Sequence, residues 1–253
     1  TPTIRFIDDK TQYFVTDYVN GKSFEKLTKK YLDEVIIELF SYYSDQKDFK
    51  IKSLDKELVK IENKIDFTLE SIEFDNTKKL VGKISSLVGI INSNVLNKNN
   101  NDIYYIKNVH GDMNYKENVI KNQDGEIYFI DWEMSRSANI LYDYFYMLLF
   151  ELNQVDDTED AMLFNFFQKL KIDNLINKVE SLMGIIIRKQ NVINYFYLSI
   201  LDKVLYKLYV FEKKRIKSNK YTDIVSRSKS LEKYLNKIIK VLNKAALDNE
   251  SLN

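Results

Sequence analysis

Apolar residues recur every three to four positions through much of the chain, which is the period of an amphipathic helix. Three such stripes run over 24–42, 54–69 and 80–95. Ser23 stands directly before the first stripe, and a serine in that place predicts the N-cap of a helix that starts there. Helical spacing returns at 140–253, so the second half of the chain is predicted to be almost entirely helical.

Two parts of the chain are rich in β-branched and aromatic residues instead of carrying a helical period. At the opening, the segments 3–7 and 12–19 flank four polar residues, which predicts a hairpin. Further along, 103–106 predicts a strand, and 119–121 with 126–130 predict a second hairpin. With only six glycines and one proline, long helices are favoured over many strands. The predicted fold class is therefore α+β and mostly helical.

Composition narrows the kinds of site that the chain can build. Its 253 residues are 45% hydrophobic, enough for a substantial core, and 38 Lys and Arg against 37 Asp and Glu leave a net charge of +1. That balance provides no sequence-wide basic surface for nucleic acid, so none is expected as a partner. With no cysteine and one histidine, disulfides, thiolate zinc sites and poly-imidazole sites are excluded, whereas a metal held by oxygen ligands, such as Mg²⁺, stays open.

No apolar stretch suggests insertion into a membrane. The central run at 185–187 is followed by Arg188 and Lys189, far short of the roughly 20 residues that span a bilayer. The first ten residues also carry no signal-peptide pattern. We therefore expect a cytoplasmic protein.

Candidate chemistry is concentrated around the single histidine. His110, Gly111 and Asp112 follow a predicted strand, and Asp131 lies at the end of the second predicted hairpin, which brings the two carboxylates close together. One carboxylate is suited to accept a proton from a substrate hydroxyl, while the other, with the amide oxygen of Asn118, is suited to hold Mg²⁺ against a polyphosphate. The alternative is structural, with His110 as a satisfied loop histidine and Asp131 as a turn former.

These residues resemble the motifs of the aminoglycoside phosphotransferase and choline kinase superfamily, which has a protein-kinase-like fold. The resemblance implies that His110 and Asp112 belong to the catalytic loop, with Asp112 as the general base or the residue that orients the substrate. It implies metal ligation by Asn118 and Asp131. It also implies that Asp143, in a leucine-tyrosine-aspartate stretch, supports the catalytic loop through backbone amides.

The same resemblance extends to nucleotide and acceptor binding. The opening is similar to the last two strands of the family's N-terminal lobe and the hinge that borders adenine, which implies nucleotide contacts at Tyr18 and Val19. Glu133 and Trp132 are candidate substrate-binding residues. The structural alternatives are an ion pair between Glu133 and a residue such as Arg136, and core packing for Trp132.

The resemblance implies a partial N-terminal lobe hairpin and hinge at 1–20 and a helical C-terminal lobe at 21–253, carrying the catalytic loop and the metal-binding hairpin. The implied activity is that of a small-molecule kinase, which transfers phosphate from ATP or GTP with Mg²⁺. Its acceptor would be a hydroxyl of a small polar, amine-bearing compound of the aminoglycoside, choline or ethanolamine type. Nucleotide and acceptor are then the partners.

Two departures from the kinase pattern leave alternatives open. The pattern places the metal-binding asparagine five residues after the catalytic aspartate, whereas Asn118 is the sixth residue after Asp112, and Asn114 is the weaker candidate. The phosphate-covering glycine loop and its paired lysine normally precede the hinge, yet Gly21 is the first glycine here and Lys10 stands in a predicted turn. Either the chain is part of a longer enzyme, or it is a truncated, non-catalytic kinase-like scaffold or binding protein.

Overall fold

Three small antiparallel sheets and a set of long helices make up the described part of the chain. The computed structural model describes residues 4–8, 13–16, 20–26, 28–46, 49–70, 78–94, 102–154, 169–170, 172–217 and 221–250. The strands are β1 (Ile4–Asp8), β2 (Tyr13–Thr16), β3 (Gly21–Ser23), β4 (Phe49–Ser53), β5 (Asp102–Val109), β6 (Val119–Asn122), β7 (Ile127–Phe129) and β8 (Arg136–Asn139). The helices are α1 (Lys29–Gln46), α2 (Leu54–Glu70), α3 (Lys78–Asn94), α4 (Tyr142–Gln154), α5 (Ile172–Met183), α6 (Lys189–Lys217) and α7 (Tyr221–Glu250), with a 3-10 turn at Trp132–Met134.

Strand pairing brings together segments that are far apart in the sequence. β1 pairs with β2, β6 lies between β3 and β7, and β5 lies between β4 and β8. In the second sheet Ser23 is opposite Ile120, and in the third sheet Ile106 is opposite both Phe49 and Ala138. As the central strand of the third sheet, β5 is held on both edges and therefore fixes the position of the loop that follows it.

The helices pack as pairs around a core centred on α4. α2 packs against α6, α3 against α7 and α1 against α5. Every side chain from Ile140 to Leu149 is buried, so the first eight residues of α4 are enclosed on all sides. The middle of α6 is enclosed in the same way over 194–201, whereas α2 buries a single stripe. No helix in the described part of the chain is both long enough and apolar enough to cross a membrane.

The predicted fold class is confirmed, and so are the first hairpin, the second hairpin and the helices at α2 and α3, each within a few residues of its predicted bounds. The predicted cap at Ser23 is wrong, because Ser23 lies in β3 and α1 begins at Lys29. The hydroxyl of Thr28 instead accepts the N–H of Tyr31 at 3.3 Å. Phe24 is buried and its ring packs 4.7 Å from that of Tyr31.

Strands β4 and β8 were not predicted, and their sequences explain why. β4 reads FKIKS and β8 reads RSAN, and neither has a clear run of β-branched or aromatic residues. Both form because β5 offers an unpaired edge on each side, which is a long-range contact that local sequence does not encode.

We predict that the two adjacent isoleucines of α1 differ sharply in their effect on stability. Ile36 is 3% exposed and Ile37 is 42% exposed. Ile36→Ala should lower the free energy of unfolding by about 2–5 kcal/mol because it leaves a cavity in the core. Ile37→Ala serves as the matched control and should cost under about 1 kcal/mol. Urea titration followed by circular dichroism measures both, and equal losses would contradict the packing of α1 described above.

Candidate active site

The loop that follows β5 has a backbone conformation that only glycine accommodates at its centre. Gly111 has a φ of +88°. A Cβ atom added there would lie 2.2 Å from the carbonyl oxygen of Met134. The loop therefore packs directly, backbone to backbone, against the 3-10 turn that follows β7.

Asp143, at the start of α4, binds this loop through hydrogen bonds to its backbone. Its carboxylate is fully buried and accepts the backbone N–H groups of His110 at 2.6 Å and Gly111 at 3.0 Å, together with the hydroxyl of Tyr43. Burial raises the pKa of Asp143, and the hydrogen bonds from Tyr43 and the two backbone N–H groups oppose that rise. Three donors on one buried carboxylate leave the loop little freedom to move.

The ring of His110 connects the loop to the end of β7. Its Nε2 lies 2.6 Å from the carbonyl oxygen of Ile130, and its Nδ1 lies 3.4 Å from the backbone nitrogen of Asp112. A neutral imidazole with its proton on Nε2 satisfies both contacts. Trp132 packs against the same ring, with the centroids 4.7 Å apart.

Asn118 lies at the end of a turn that accommodates the extra residue of the loop. Its backbone N–H donates to the carbonyl of Asn114 at 2.7 Å, and its side-chain amide donates to the carbonyl of Asp112 at 2.7 Å. The side chain of Asn114 is already engaged, because its oxygen accepts the N–H of Lys116 at 3.1 Å. These contacts favour Asn118 over Asn114 as the residue that faces the candidate metal site.

Asp131 is positioned by the backbone of the residue before it. The N–H of Ile130 donates to the carbonyl of Asn118 at 3.0 Å, and its own carbonyl contacts His110. Asp131 follows with a φ of 62°, an unusual conformation for a residue other than glycine. Its exposed carboxylate makes no capping bond to the 3-10 turn. The structure thus brings the residue before Asp131 into contact with both His110 and Asn118.

The oxygen donors of Asn118 and Asp131 fit Mg²⁺, which commonly takes one or two protein ligands and completes its shell with water and substrate phosphates. In the described part of the chain no group of three or more histidine, aspartate or glutamate residues is placed to hold a metal without such help. The donor set is therefore suited to a metal that arrives with a polyphosphate.

Asp112 is partly exposed and accepts a hydrogen bond from a neighbouring side chain. The hydroxyl of Tyr146, on α4, donates to its Oδ1. Tyr146 could not be predicted as a site residue, because it belongs to an unbroken apolar and aromatic segment that predicts only core. Tyr43 was missed because, four residues after Leu39 in α1, it has the spacing of a core residue. The one signal was the position of Tyr146 three residues after Asp143, on the same side of the helix.

A cavity of about 650 Å³ lies between α2, α6 and the segment after Asp131. Glu133 lines it, as do Arg136 and Asp202, which form an ion pair at 3.3 Å. The structural alternative for Glu133 was an ion pair with Arg136. Arg136 pairs with Asp202 instead, and Glu133 makes no ion pair within the described residues. Two residues that line the cavity, Met134 and Arg136, also lie close to Gly111, so the cavity adjoins the loop after β5.

Trp132 does not line this cavity. Its ring packs between those of His110 and Tyr42, with the latter centroid 4.8 Å away, and its indole N–H donates to the carbonyl of Phe129 at 2.8 Å. The structure thus gives Trp132 a packing position behind the catalytic loop.

A second cavity, of about 580 Å³, lies where β3 meets β6. Its wall includes three lysines, Lys22, Lys26 and Lys121, of which Lys121 is paired with Glu34 at 2.6 Å. The predicted nucleotide contacts at Tyr18 and Val19 lie outside the described residues; in the sequence they directly precede Asn20, the first residue that lines this cavity.

Comparison with known structures gives the fold. The choline kinase LicA from Streptococcus pneumoniae is similar with a TM-score of 0.52 and 18% identity, over 93% of this chain and 74% of that one. An ethanolamine kinase from Plasmodium vivax has a TM-score of 0.51 and 14% identity, over 93% and 68%. A thermostable mutant of an aminoglycoside phosphotransferase, in a ternary complex with ADP and hygromycin B, has a TM-score of 0.51 and 12% identity, over 93% and 76%.

The chain has the kinase-like fold that these structures share. No protein-family model and no curated protein matches its sequence, so the likeness lies in the three-dimensional structure. Within the kinase-like fold, the loop after β5, the hairpin of β6 and β7 and the first turn of α4 are the elements that carry the candidate site.

We predict that two glycines with the same backbone conformation respond very differently to alanine. Gly111 and Gly125 have φ values of +88° and +89°, but only Gly111 faces a backbone carbonyl, whereas the nearest atom to Gly125 is a flexible side-chain carbon of Lys121 at 3.8 Å. Gly125→Ala should cost about 1 kcal/mol. Gly111→Ala should cost more than about 3 kcal/mol, because the clash adds to the strain. Thermal unfolding measures both, and a smaller loss at Gly111 would contradict the close approach to Met134.

Proposed function

We propose that the protein is a nucleotide-dependent phosphotransferase that transfers the terminal phosphoryl group of ATP or GTP to a hydroxyl of a small polar, amine-bearing molecule. The observation that carries this proposal is a set of hydrogen bonds that joins three candidate groups. The side-chain amide of Asn118 donates to the carbonyl of Asp112. Ile130, the residue before Asp131, contacts Asn118 through its N–H and His110 through its carbonyl. A base and two oxygen ligands at one place are what phosphoryl transfer requires of the protein.

In the proposed reaction, the Asp112 carboxylate accepts the proton of the acceptor hydroxyl. The hydroxyl oxygen forms a bond to the terminal phosphorus while the bond from phosphorus to the bridging oxygen breaks, and the nucleoside diphosphate leaves. Asn118 and Asp131 are the residues that would hold Mg²⁺, which neutralises charge on the phosphates when bound. Tyr146 orients Asp112, and Asp143 with His110 fixes the loop.

The cavity beside Glu133 supports an amine-bearing acceptor. An ammonium group is stabilised by a carboxylate without a cationic partner and by aromatic faces. Glu133 supplies the carboxylate, and Phe67, Tyr206 and Tyr209 supply aromatic side chains of which Phe67 and Tyr209 are exposed. The neighbouring Asp202 contributes less, because Arg136 already neutralises it.

The lysine-lined cavity supports a nucleotide site next to the proposed hinge. Lys22 and Lys26 provide positive charge near the phosphate end of a nucleotide, and Tyr18 and Val19 are proposed to border its base. In this proposal residues 1–20 form the remnant of an N-terminal lobe with its hinge, and the catalytic loop and metal-binding hairpin belong to 21–253.

The first test separates binding from chemistry. Asp131→Asn should weaken binding of Mg²⁺ with ATP or GTP, because it removes charge from the ligand that holds the metal. Asp112→Asn should leave that binding nearly intact and lower turnover by about 100-fold or more. Thermal shift measures the binding, since a nucleotide at 100 times its dissociation constant adds about 2.7 kcal/mol of stability. Equal loss of binding in both variants would contradict the assigned roles.

A screen for acceptors tests the activity itself. Release of ADP or GDP is measured with choline, ethanolamine, aminoglycosides and sugars, in the presence of Mg²⁺. Stimulation of nucleoside diphosphate release by an acceptor supports the proposal. If nucleotide does not stabilise the protein and no acceptor stimulates release of nucleoside diphosphate, the alternative of a non-catalytic kinase-like scaffold is favoured.

We also predict that Glu133 sets the affinity for an amine-bearing acceptor. Glu133→Gln should raise the acceptor KM about tenfold, because it removes a charged hydrogen-bond partner, while kcat stays nearly constant. Glu180→Gln is the matched control, since Glu180 lies exposed on α5 away from the cavity. Steady-state kinetics at saturating nucleotide give both constants, and an unchanged KM in Glu133→Gln would remove this residue from the acceptor site.

A further inference from the structure

A lysine is buried directly behind the candidate base. Lys203, on α6, is 3% exposed, and no carboxylate of the described residues lies within ion-pair distance of it. Lysine is rarely buried in this way unless it is paired, because removing an ammonium group from water is costly.

Aromatic and carbonyl groups surround the amino group of Lys203. Its Nζ lies 3.5 Å from the ring centroid of Tyr146 and 3.4 Å from the carbonyl oxygen of the same residue, to which it donates. The ring of Tyr234 lies 5.8 Å away, on α7. Lys203 thus contacts both the backbone and the ring of the residue whose hydroxyl donates to Asp112.

The electrostatics of this contact connect Lys203 to the candidate base. Burial lowers the pKa of Lys203 well below its usual value and the neighbouring Lys207 lowers it further, while the negative charge of Asp112 raises it. Methionine has a similar length and would fill the same space without this cost. A buried group that is costly for stability and that contacts the hydrogen-bond partner of a candidate base indicates a role in the site.

We propose that Lys203 is a positioning residue for phosphoryl transfer: it holds the ring of Tyr146 so that the phenol hydroxyl stays on Oδ1 of Asp112. The inference rests on the proposed function, in which Asp112 accepts the proton of the acceptor. Without Lys203, Tyr146 loses the cation–π contact at its ring face and the hydrogen bond at its backbone carbonyl, and its hydroxyl no longer holds Asp112 toward the acceptor hydroxyl.

The same contact restricts where an acceptor amine binds. The face of Tyr146 is occupied by the amino group of Lys203, and the ring of Tyr234 has the Nζ of Lys207 4.7 Å from its centroid. These aromatic surfaces are therefore filled by the chain itself. The acceptor amine is directed to the cavity beside Glu133 instead.

The experiment is a double-mutant cycle on the full chain. Lys203→Met removes the amino group but keeps the length of the side chain, and Tyr146→Phe removes the hydroxyl but keeps the ring. Each should lower kcat about tenfold with little change in either KM. The double variant should be no slower than the slower single variant, because both residues act through the same hydrogen bond. The inference would be overturned if the two single losses in kcat multiplied in the double variant, or if Lys203→Met left kcat unchanged.

Lys207→Met is the matched control, since Lys207 lies one helical turn away on α6 and contacts Tyr234 rather than Tyr146. It removes an amino group near Asp112 without touching Tyr146, so kcat should change much less. An equal loss in Lys203→Met and Lys207→Met would assign the effect to charge alone and overturn the inference.

A spectroscopic measurement keeps the inference testable apart from activity. In protein labelled with ¹³Cζ-tyrosine, the Tyr146 resonance, assigned by its loss in Tyr146→Phe, should move in Lys203→Met and stay in place in Lys207→Met. A Tyr146 resonance unaffected by Lys203→Met would refute the contact.

If Lys203→Met unfolds, Lys203→Gln replaces it in both experiments. Failure of the wild-type chain to bind nucleotide or turn over any acceptor refutes the proposed function instead.

Discussion

One buried carboxylate determines the geometry of the candidate site. Asp143 accepts two backbone N–H groups from the loop after β5 and the hydroxyl of Tyr43 from α1, and it lies in the first turn of the most enclosed helix of the described chain. The loop is thereby attached to the core at its base. His110 then links the loop to Ile130 at the end of β7. The positions of the two exposed acidic groups follow from these internal contacts.

The parts of the fold that could be predicted from the sequence are those with a local cause. The helices α2 and α3 follow from apolar spacing, and the hairpin of β6 and β7 from its turn. Strand β3 could not be predicted, because Gly21–Ser23 becomes extended only by pairing with Lys121 and its neighbours, about a hundred residues further along. Strands β4 and β8 depend on β5 in the same way.

The residues of the candidate site also divide into those with a local sequence signal and those placed by long-range packing. His110, Asp112 and Asp131 lie in short motifs and were predicted, whereas Tyr43, Tyr146 and Lys203 come from three different helices and have the spacing of core residues. Lys203 left a weak signal, because it falls three residues after Ile200 on a buried face where an apolar residue is expected. A lysine at a position of apolar spacing is costly to bury, so such a residue is a reasonable candidate for a role in a site.

The pairing of β3 with β6 has a mechanical consequence. Ser23 is opposite Ile120, which lies two residues beyond Asn118, so the segment leading out of the proposed hinge is cross-linked by backbone hydrogen bonds to the ribbon that bears the amide ligand. Asn118 therefore lies two residues from a strand pair that also contains Lys22. Since Lys22 and Lys121 also line the second cavity, a molecule bound there would contact the same strand pair that positions Asn118.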